Sequence, residues 1–328
     1  MMLRFARGCG LGLVVACLVS LAHASTLIFD LIPSDISKMG KIHDDPNNFR
    51  TTWDDDRKGS QGINRTGLAD LKISGSAQFS ASQLKHMLNR LQQKDVILVD
   101  LRQEHHFFLN GLSVCQYSPY FNATWGKTSD ETKWEEEKVA GLLRNGQNLN
   151  VGLVTKRGEN DTIQAAIQEW LTPNTVQIES KLAAQSGVGS VRFAIADDQR
   201  PSDVIVDEFL AFMKTVPSTT WLHFHCRGGR GRTTQFMVMT DILKNGTRIS
   251  LNDILNRQWA IGGNDLVHLS PRALKDPFLK EKATERLKFI QHFYEYVKSG
   301  DGLGHQSWST WVVAHPILKG EGNGFSRD

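Results

Sequence analysis

The chain has 328 residues, enough for two average domains or one large domain with additions. With 40% apolar and 22% charged residues it is an ordinary globular mixture, which excludes a wholly disordered or fibrous protein. Its 38 basic residues against 35 acidic give +3, or +1 without the two arginines of the N-terminal segment; broad electrostatic capture of nucleic acid is excluded, and any polyanion site must be a local cluster.

Residues 1–24 have the three parts of a secretory signal peptide. Arg4 and Arg7 form a positive start, 11–21 is apolar, and Ala22-His23-Ala24 offers small residues to a peptidase. The pattern predicts an exported protein, periplasmic or secreted, with no stable membrane insertion after cleavage. A retained anchor, or a lipoprotein-type box at Val14-Val15-Ala16-Cys17, is the alternative. Cleavage removes Cys9 and Cys17 and leaves Cys115 and Cys226. Two cysteines in an exported protein suggest a disulfide by default. The chemistry around Cys226 argues against one, and Cys115 reads as a buried apolar filler, with reversible oxidative pairing to Cys226 as its alternative.

Residues 25–47 lack sustained periodicity and end in His43-Asp44-Asp45-Pro46-Asn47, which reads as a surface lead-in. Leu84, Met87, Leu88 and Leu91 form a helical stripe over 80–91, with Ser80 or Ser82 as N-cap. Val96-Ile97-Leu98-Val99 is a short apolar run of the kind found in buried parallel strands. Residues 134–143 predict an exposed helix whose glutamates form a solvated face. Residues 149–180 mix Val, Thr, Gln and Gly without helical period and predict a small β-rich insertion. Residues 191–195 and 221–224 read as strands. Pro201 opens a helix to about 215, and 232–244 is a helix with Phe236, Met237, Met239, Ile242 and Leu243 inward. Strands alternating with helices imply an α/β catalytic domain over 48–320, followed by a tail at 321–328.

The decisive segment is His225-Cys226-Arg227-Gly228-Gly229-Arg230-Gly231-Arg232-Thr233-Thr234, placed after a strand and opening a helix. Gly228, Gly229 and Gly231 permit backbone angles that turn successive N–H groups toward one point, a nest for an anion. The helix N-terminus directs its positive end there, and Arg232 adds a planar fork for two phosphate oxygens. A thiol set in that field is expected to act as a nucleophile. Thr233 is placed to donate to the sulfur, and His225 to orient the loop. A cysteinyl-phosphate route also needs an acid for the departing oxygen. Ala196-Asp197-Asp198-Gln199-Arg200-Pro201, between a strand and a helix, supplies it: Asp197 as acid, with Asp198 as a cap or a substrate contact.

This loop resembles that of the cysteine-dependent protein tyrosine phosphatases, and within them the chain resembles the bacterial tyrosine-phosphatase-like phytases. Asn48-Phe49-Arg50-Thr51, Val99-Asp100-Leu101-Arg102-Gln103-Glu104, Trp221 to Cys226, Ile261-Gly262-Gly263 and Trp308-Ser309 carry the likeness, which runs from about 46 to 317. The resemblance implies a mostly parallel sheet flanked by helices, a small partial β-barrel, inositol hexakisphosphate as substrate, and no metal or cofactor. It gives Cys226 as nucleophile, Arg232 as phosphate ligand, Asp197 as acid, and Arg50 as a substrate-phosphate contact. The family's usual tryptophan before the acid-loop proline is Arg200 here.

Arg227 and Arg230 beside the cup are costly to hold together without an anion, so neighbouring phosphates on an inositol ring give them a role. Lys156, Arg157, Arg272, Lys275 and Lys280 are outer candidates for ring contacts, each with the alternative of a solvated charge. His105-His106 and His223 with His225 lack the spacing of a structural zinc site. Arg102 and Glu104 read as an ion pair near the site, and Gln258 as a group that can position the attacking water. The rivals are a protein-tyrosine phosphatase delivered as an effector, a phosphoinositide phosphatase, and a non-enzymatic inositol-phosphate-binding module.

Overall fold

In the computed structural model, residues 26–30, 44–57, 62–300, 304 and 306–315 are described. The expected signal segment 1–24, most of the expected lead-in and the tail 321–328 lie outside the described residues. Among the described residues, no helix is long and apolar enough to cross a membrane.

The apolar runs become the inner strands of a five-stranded sheet. In chain order these are β2 (Arg50–Thr51), β3 (Ile73–Ala77), β4 (Val96–Arg102), β10 (Gly189–Ile195) and β11 (Trp221–Cys226). Their spatial order is β10-β4-β11-β3-β2, with every pairing parallel except the short β2 on β3. Helices cover both faces, as a parallel sheet requires. On one side α4 (Asp203–Thr215), α5 (Gly231–Asn245), α6 (Leu251–Ala260), α7 (Pro277–Lys298) and α8 (Trp308–Ala314) pack over Val99, Leu101, Phe193, Leu222 and Phe224. On the other, α1 (Ala81–Leu91) and α3 (Glu179–Gln185) pack over Val96, Leu98 and Trp221. Alternate residues of one strand thus feed two cores. α1 begins with a capping box between Ser80 and Gln83. α2 (Ser129–Leu143) starts five residues before the expected helix, because Thr128 and Glu131 form a second capping box there.

The β-rich region is larger than a 149–180 insertion. A six-stranded sheet of order β8-β7-β1-β6-β5-β9 is assembled from β1 (Thr26–Phe29), β5 (His106–Leu109), β6 (Leu112–Tyr117), β7 (Leu149–Arg157), β8 (Ile163–Leu171) and β9 (Val176–Gln177). Residues 26–29, placed in the lead-in by the sequence, form an inner strand of this sheet: β1 runs antiparallel to β6 and parallel to β7. Ile28 and Phe29 are buried, and four residues are too few to show a period.

The carboxyl ends of β3, β4, β10 and β11 converge. In register, Cys226 lies opposite Ala77, and His225 opposite both Ser76 and Asp100. Open parallel sheets bind ligands at this edge.

Candidate active site

Cys226 is the last residue of β11, and the loop after it enters α5 at Gly231. The thiol is buried, and the Thr233 hydroxyl donates to Sγ at 3.2 Å. Gly229 has φ +66°, and a Cβ there would fall 2.2 Å from the Ala77 nitrogen, so the loop lies directly on the end of β3. A Cβ on Gly231 would meet the Arg286 guanidinium at 2.9 Å. Gly228 has open space around it.

Arg232 is buried, with its fork on Glu104: Nη1 donates to Oε2 at 2.7 Å and Nη2 to Oε1 at 3.0 Å. The Ile195 carbonyl accepts a further bond at 3.0 Å. Burial pushes the Glu104 carboxyl up, but Arg232 and Arg102 override it and hold the group at about 2. The expected Arg102–Glu104 pair is present at 3.0 Å, and Arg102 also pairs with Asp30 at 2.7 Å. Asp197 Oδ1 lies 2.9 Å from Arg232 Nη2, which brings the expected acid to the expected phosphate ligand. Asp198 donates its backbone N–H to Asp197 and has φ +60°. It does not cap α4, whose N-cap is Ser202. Burial and the neighbouring Asp197 push the Asp198 pKa up to about 6. Arg200 bonds Asp203 at 2.9 Å where the family's tryptophan would stand.

His225 has a partner the sequence did not reveal: its Nε2 is 2.7 Å from Glu179 Oε1 at the start of α3. Two expected phosphate contacts are placed otherwise. Arg50 is fully buried beneath the loop, donating to the Gly229 carbonyl at 2.8 Å, the Asn48 carbonyl at 3.0 Å and the Thr234 hydroxyl at 3.0 Å. It braces the loop from behind. Arg227 turns away to Asp30 of the β1 end, Nε to Oδ1 3.2 Å, and covers the Phe121 ring at 5.3 Å.

Arg230 is exposed and lines a cavity of about 550 Å³ with Asp198, Gly231, His268, Arg272 and Arg286. Arg286 is the strongest feature missed by the sequence reading. It is buried, and among the described residues it has no hydrogen bond or ion pair; burial lowers its pKa against the pull of Asp198 and Asp197. A lone arginine in a helix sixty residues from the loop carries no local signal. Of the five outer candidates, Arg272 alone lines this cavity. Arg272 and Arg157 meet on the Asp161 carboxylate, each at 2.9 Å. Lys156, Lys275 and Lys280 are exposed.

The histidines have other partners. His223 is held by the Ser74 and Ser76 hydroxyls at 2.8 and 3.0 Å. Asp100, His106 and Glu179 converge closely enough to hold a cation. The Arg192 guanidinium stands among them, 3.0 Å from His106 Nε2 and paired with Asp100 and Glu136, so a protein cation already balances these carboxylates. Gln258 donates to Asp241 at 2.9 Å, while its carbonyl oxygen has no partner among the described residues. Cys115 is a buried free thiol that burial pushes up to about 12, as a filler requires.

Known proteins are similar to this chain in sequence and fold. The profile of the PTP-like phytases, described as inositol hexakisphosphate, matches residues 99–244. The effector protein hopD2 of Pseudomonas syringae pv. tomato is 31% identical over 270 residues, 80% of this chain and 56% of that protein. The PTP-like myo-inositol phosphatase from Mitsuokella multacida, solved in complex with myo-inositol-(1,3,4,5)-tetrakisphosphate, is 31% identical with a TM-score of 0.74, covering 88% of this chain and 49% of that one. A PTP-like phytase from Bdellovibrio bacteriovorus is 28% identical with a TM-score of 0.66, covering 88% and 94%. The chain therefore spans about half the length of the first two relatives.

Proposed function

Because the chain belongs to the PTP-like phytase family, we propose that it is a cysteine-dependent phosphatase of inositol polyphosphates, with inositol hexakisphosphate as its preferred substrate. The observation that carries this reading is the buried Cys226 thiol, bonded by Thr233, in a loop that opens onto a cavity bearing Arg230, Arg272 and Arg286. A single phosphate fills the loop. Additional guanidinium groups beside it suit a ligand with several phosphates on one small ring.

In the proposed reaction Cys226 attacks phosphorus in line, the S–P bond forming as the P–O bond to the ring breaks. Loop N–H groups and Arg232 hold the equatorial oxygens. The incoming phosphate replaces Asp197 on Arg232; the released carboxylate takes up a proton from solvent and gives that proton to the departing ring oxygen as the P–O bond breaks. In the second step Asp197 takes a proton from water, whose oxygen displaces the sulfur, and the Thr233 hydroxyl stabilises the departing thiolate. Arg286 and Arg230 hold phosphates adjacent to the reacting one, whereas Arg50 and Arg227 support the loop. The reading also includes export to the periplasm or beyond, supported by the charge and hydropathy pattern of residues 1–24.

The test is phosphate release from inositol hexakisphosphate and from a phosphotyrosine peptide, each without added metal. The inositol substrate is expected to turn over faster, and Cys226→Ser to abolish turnover while retaining binding. A folded Cys226→Ser protein with substantial turnover rejects the mechanism. Preference for the peptide rejects the substrate class.

A further inference from the structure

Gln78 follows β3 directly and is buried. Its backbone N–H donates to the Arg227 carbonyl of the catalytic loop at 3.2 Å. Its side chain faces two opposite charges. Nε2 donates to Glu179 Oε2 at 2.9 Å, and Oε1 accepts from Arg102 Nη1 at 2.9 Å. Each partner leads back to the loop. Glu179 holds His225, the residue before the nucleophile, at 2.7 Å. Arg102 holds Glu104 at 3.0 Å, and Glu104 carries both Nη groups of Arg232. Arg102 also bonds Asp30 at 2.7 Å, and Asp30 takes Arg227.

We infer that Gln78 is a positioning residue that joins the support of the nucleophile to the support of the phosphate-binding arginine. A carboxamide is the side chain this place requires: one end donates to an anion and the other accepts from a cation. A carboxylate there would oppose Glu179, and an apolar group would leave both neighbours with an unmet buried polar atom. Through this one amide, movement of either arm is felt by the other. Neither the reacting thiol nor the phosphate is touched by Gln78, so its effect passes through His225 and Arg232. The inference rests on the phosphatase reading for its kinetic arm only.

The experiment compares wild type, Gln78→Glu, and the exchange Gln78→Glu with Glu179→Gln. In the exchanged pair the new amide donates to the new carboxylate and turns its oxygen to His225, while Arg102 keeps an acceptor. Steady-state kinetics on inositol hexakisphosphate is read beside the alkylation rate of Cys226 by iodoacetamide, with and without inorganic phosphate as protectant. Gln78→Glu is expected to lower kcat about ten-fold with KM changed about two-fold or less, to change the alkylation rate several-fold and to weaken protection by phosphate. The exchange recovers most of each loss. A merely structural role moves the melting temperature but not the alkylation of the folded protein. Should Gln78→Glu fail to fold, Gln78→Asn, too short to reach both partners, takes its place. Unchanged kcat and alkylation in the single variant, or an exchange no better than it, overturns the inference. A wild type inactive on inositol phosphates rejects the functional reading instead, and the alkylation arm still decides the role of Gln78.

Discussion

Replacing Asp198 by asparagine removes a carboxylate that the folded chain holds at a disadvantage. Burial and the adjacent Asp197 raise its pKa from the ordinary 3.8 to about 6, against the pull of Arg286, Arg272 and Arg232. A difference of roughly two pH units, at about 1.4 kcal/mol each, corresponds to about 3 kcal/mol. Its partly open position lowers that to about 2 kcal/mol. The backbone is not disturbed, since asparagine tolerates the left-handed φ of +60° at this site. The sign follows from proton binding. Between about pH 4 and pH 6 the folded state keeps a proton that the unfolded chain has released, so stability falls as pH rises through that window and stays reduced above it. Asparagine carries no such penalty.

Urea unfolding of both proteins at about pH 4 and pH 7 measures the difference. Asp198→Asn should be about 2 kcal/mol more stable at pH 7, with the gap nearly closed at pH 4, where Asp198 is neutral in the folded protein. No gain at pH 7, or the same gain at both values, refutes the account of the acid loop as two carboxylates forced together.

Asp197→Asn should slow hydrolysis of inositol phosphates, whose alkoxide leaving group needs a proton, by 100-fold or more, roughly the range of a lost general acid, while aryl phosphates lose far less; equal losses in parallel assays reassign the acid. Glu104→Gln weakens the bidentate support of Arg232, and KM should rise about ten-fold in steady-state kinetics. Because Glu104 is held at about 2, its stabilising effect is present above its ordinary 4.5 and is lost as pH falls through 2; the variant should flatten the acid limb of the stability curve. Gly229→Ala drives a methyl group into the Ala77 nitrogen at 2.2 Å and should lower stability by at least about 2 kcal/mol, whereas Gly228→Ala, with open space, should leave the melting temperature unchanged.

The candidate catalytic loop is legible in the sequence because its parts are contiguous: a thiol, three glycines, an arginine and a threonine between an apolar run and a helix. Helix α1 is legible for the same reason, its cap and apolar stripe being local. What escapes is whatever depends on distant strand ends. Glu179 reaches His225 from a different helix, and Asp30 reaches Arg227 from a four-residue strand. Arg227 and Arg230 each precede a glycine in the same loop, yet a carboxylate waits for one and open cavity for the other. Arg50 reads as a phosphate contact only by likeness; the fold buries it beneath Gly229, where its donors meet carbonyls. Residues 149–180 read as an insertion because the pairings of β1 with β7 and of β5 with β9 are non-local.

The buried arginines divide by their partners, and the division matches their tasks. Arg102, Arg232 and Arg257 each meet carboxylates, which fixes their place and offsets the loss of hydration. Arg50 and Arg286 are buried without a carboxylate partner among the described residues, and burial pulls Arg50 down to about 10. Unpaired buried charge is costly, so a fold keeps it only where something else meets the need. For Arg50 that is the Gly229 and Asn48 carbonyls and the Thr234 hydroxyl, which tie its charge to the shape of the loop. For Arg286, which lines the cavity, the proposed function supplies an incoming anion. Paired guanidinium groups are thus held in place by the fold, and on the proposed function the unpaired one beside the loop is the group a multiply phosphorylated ligand would meet.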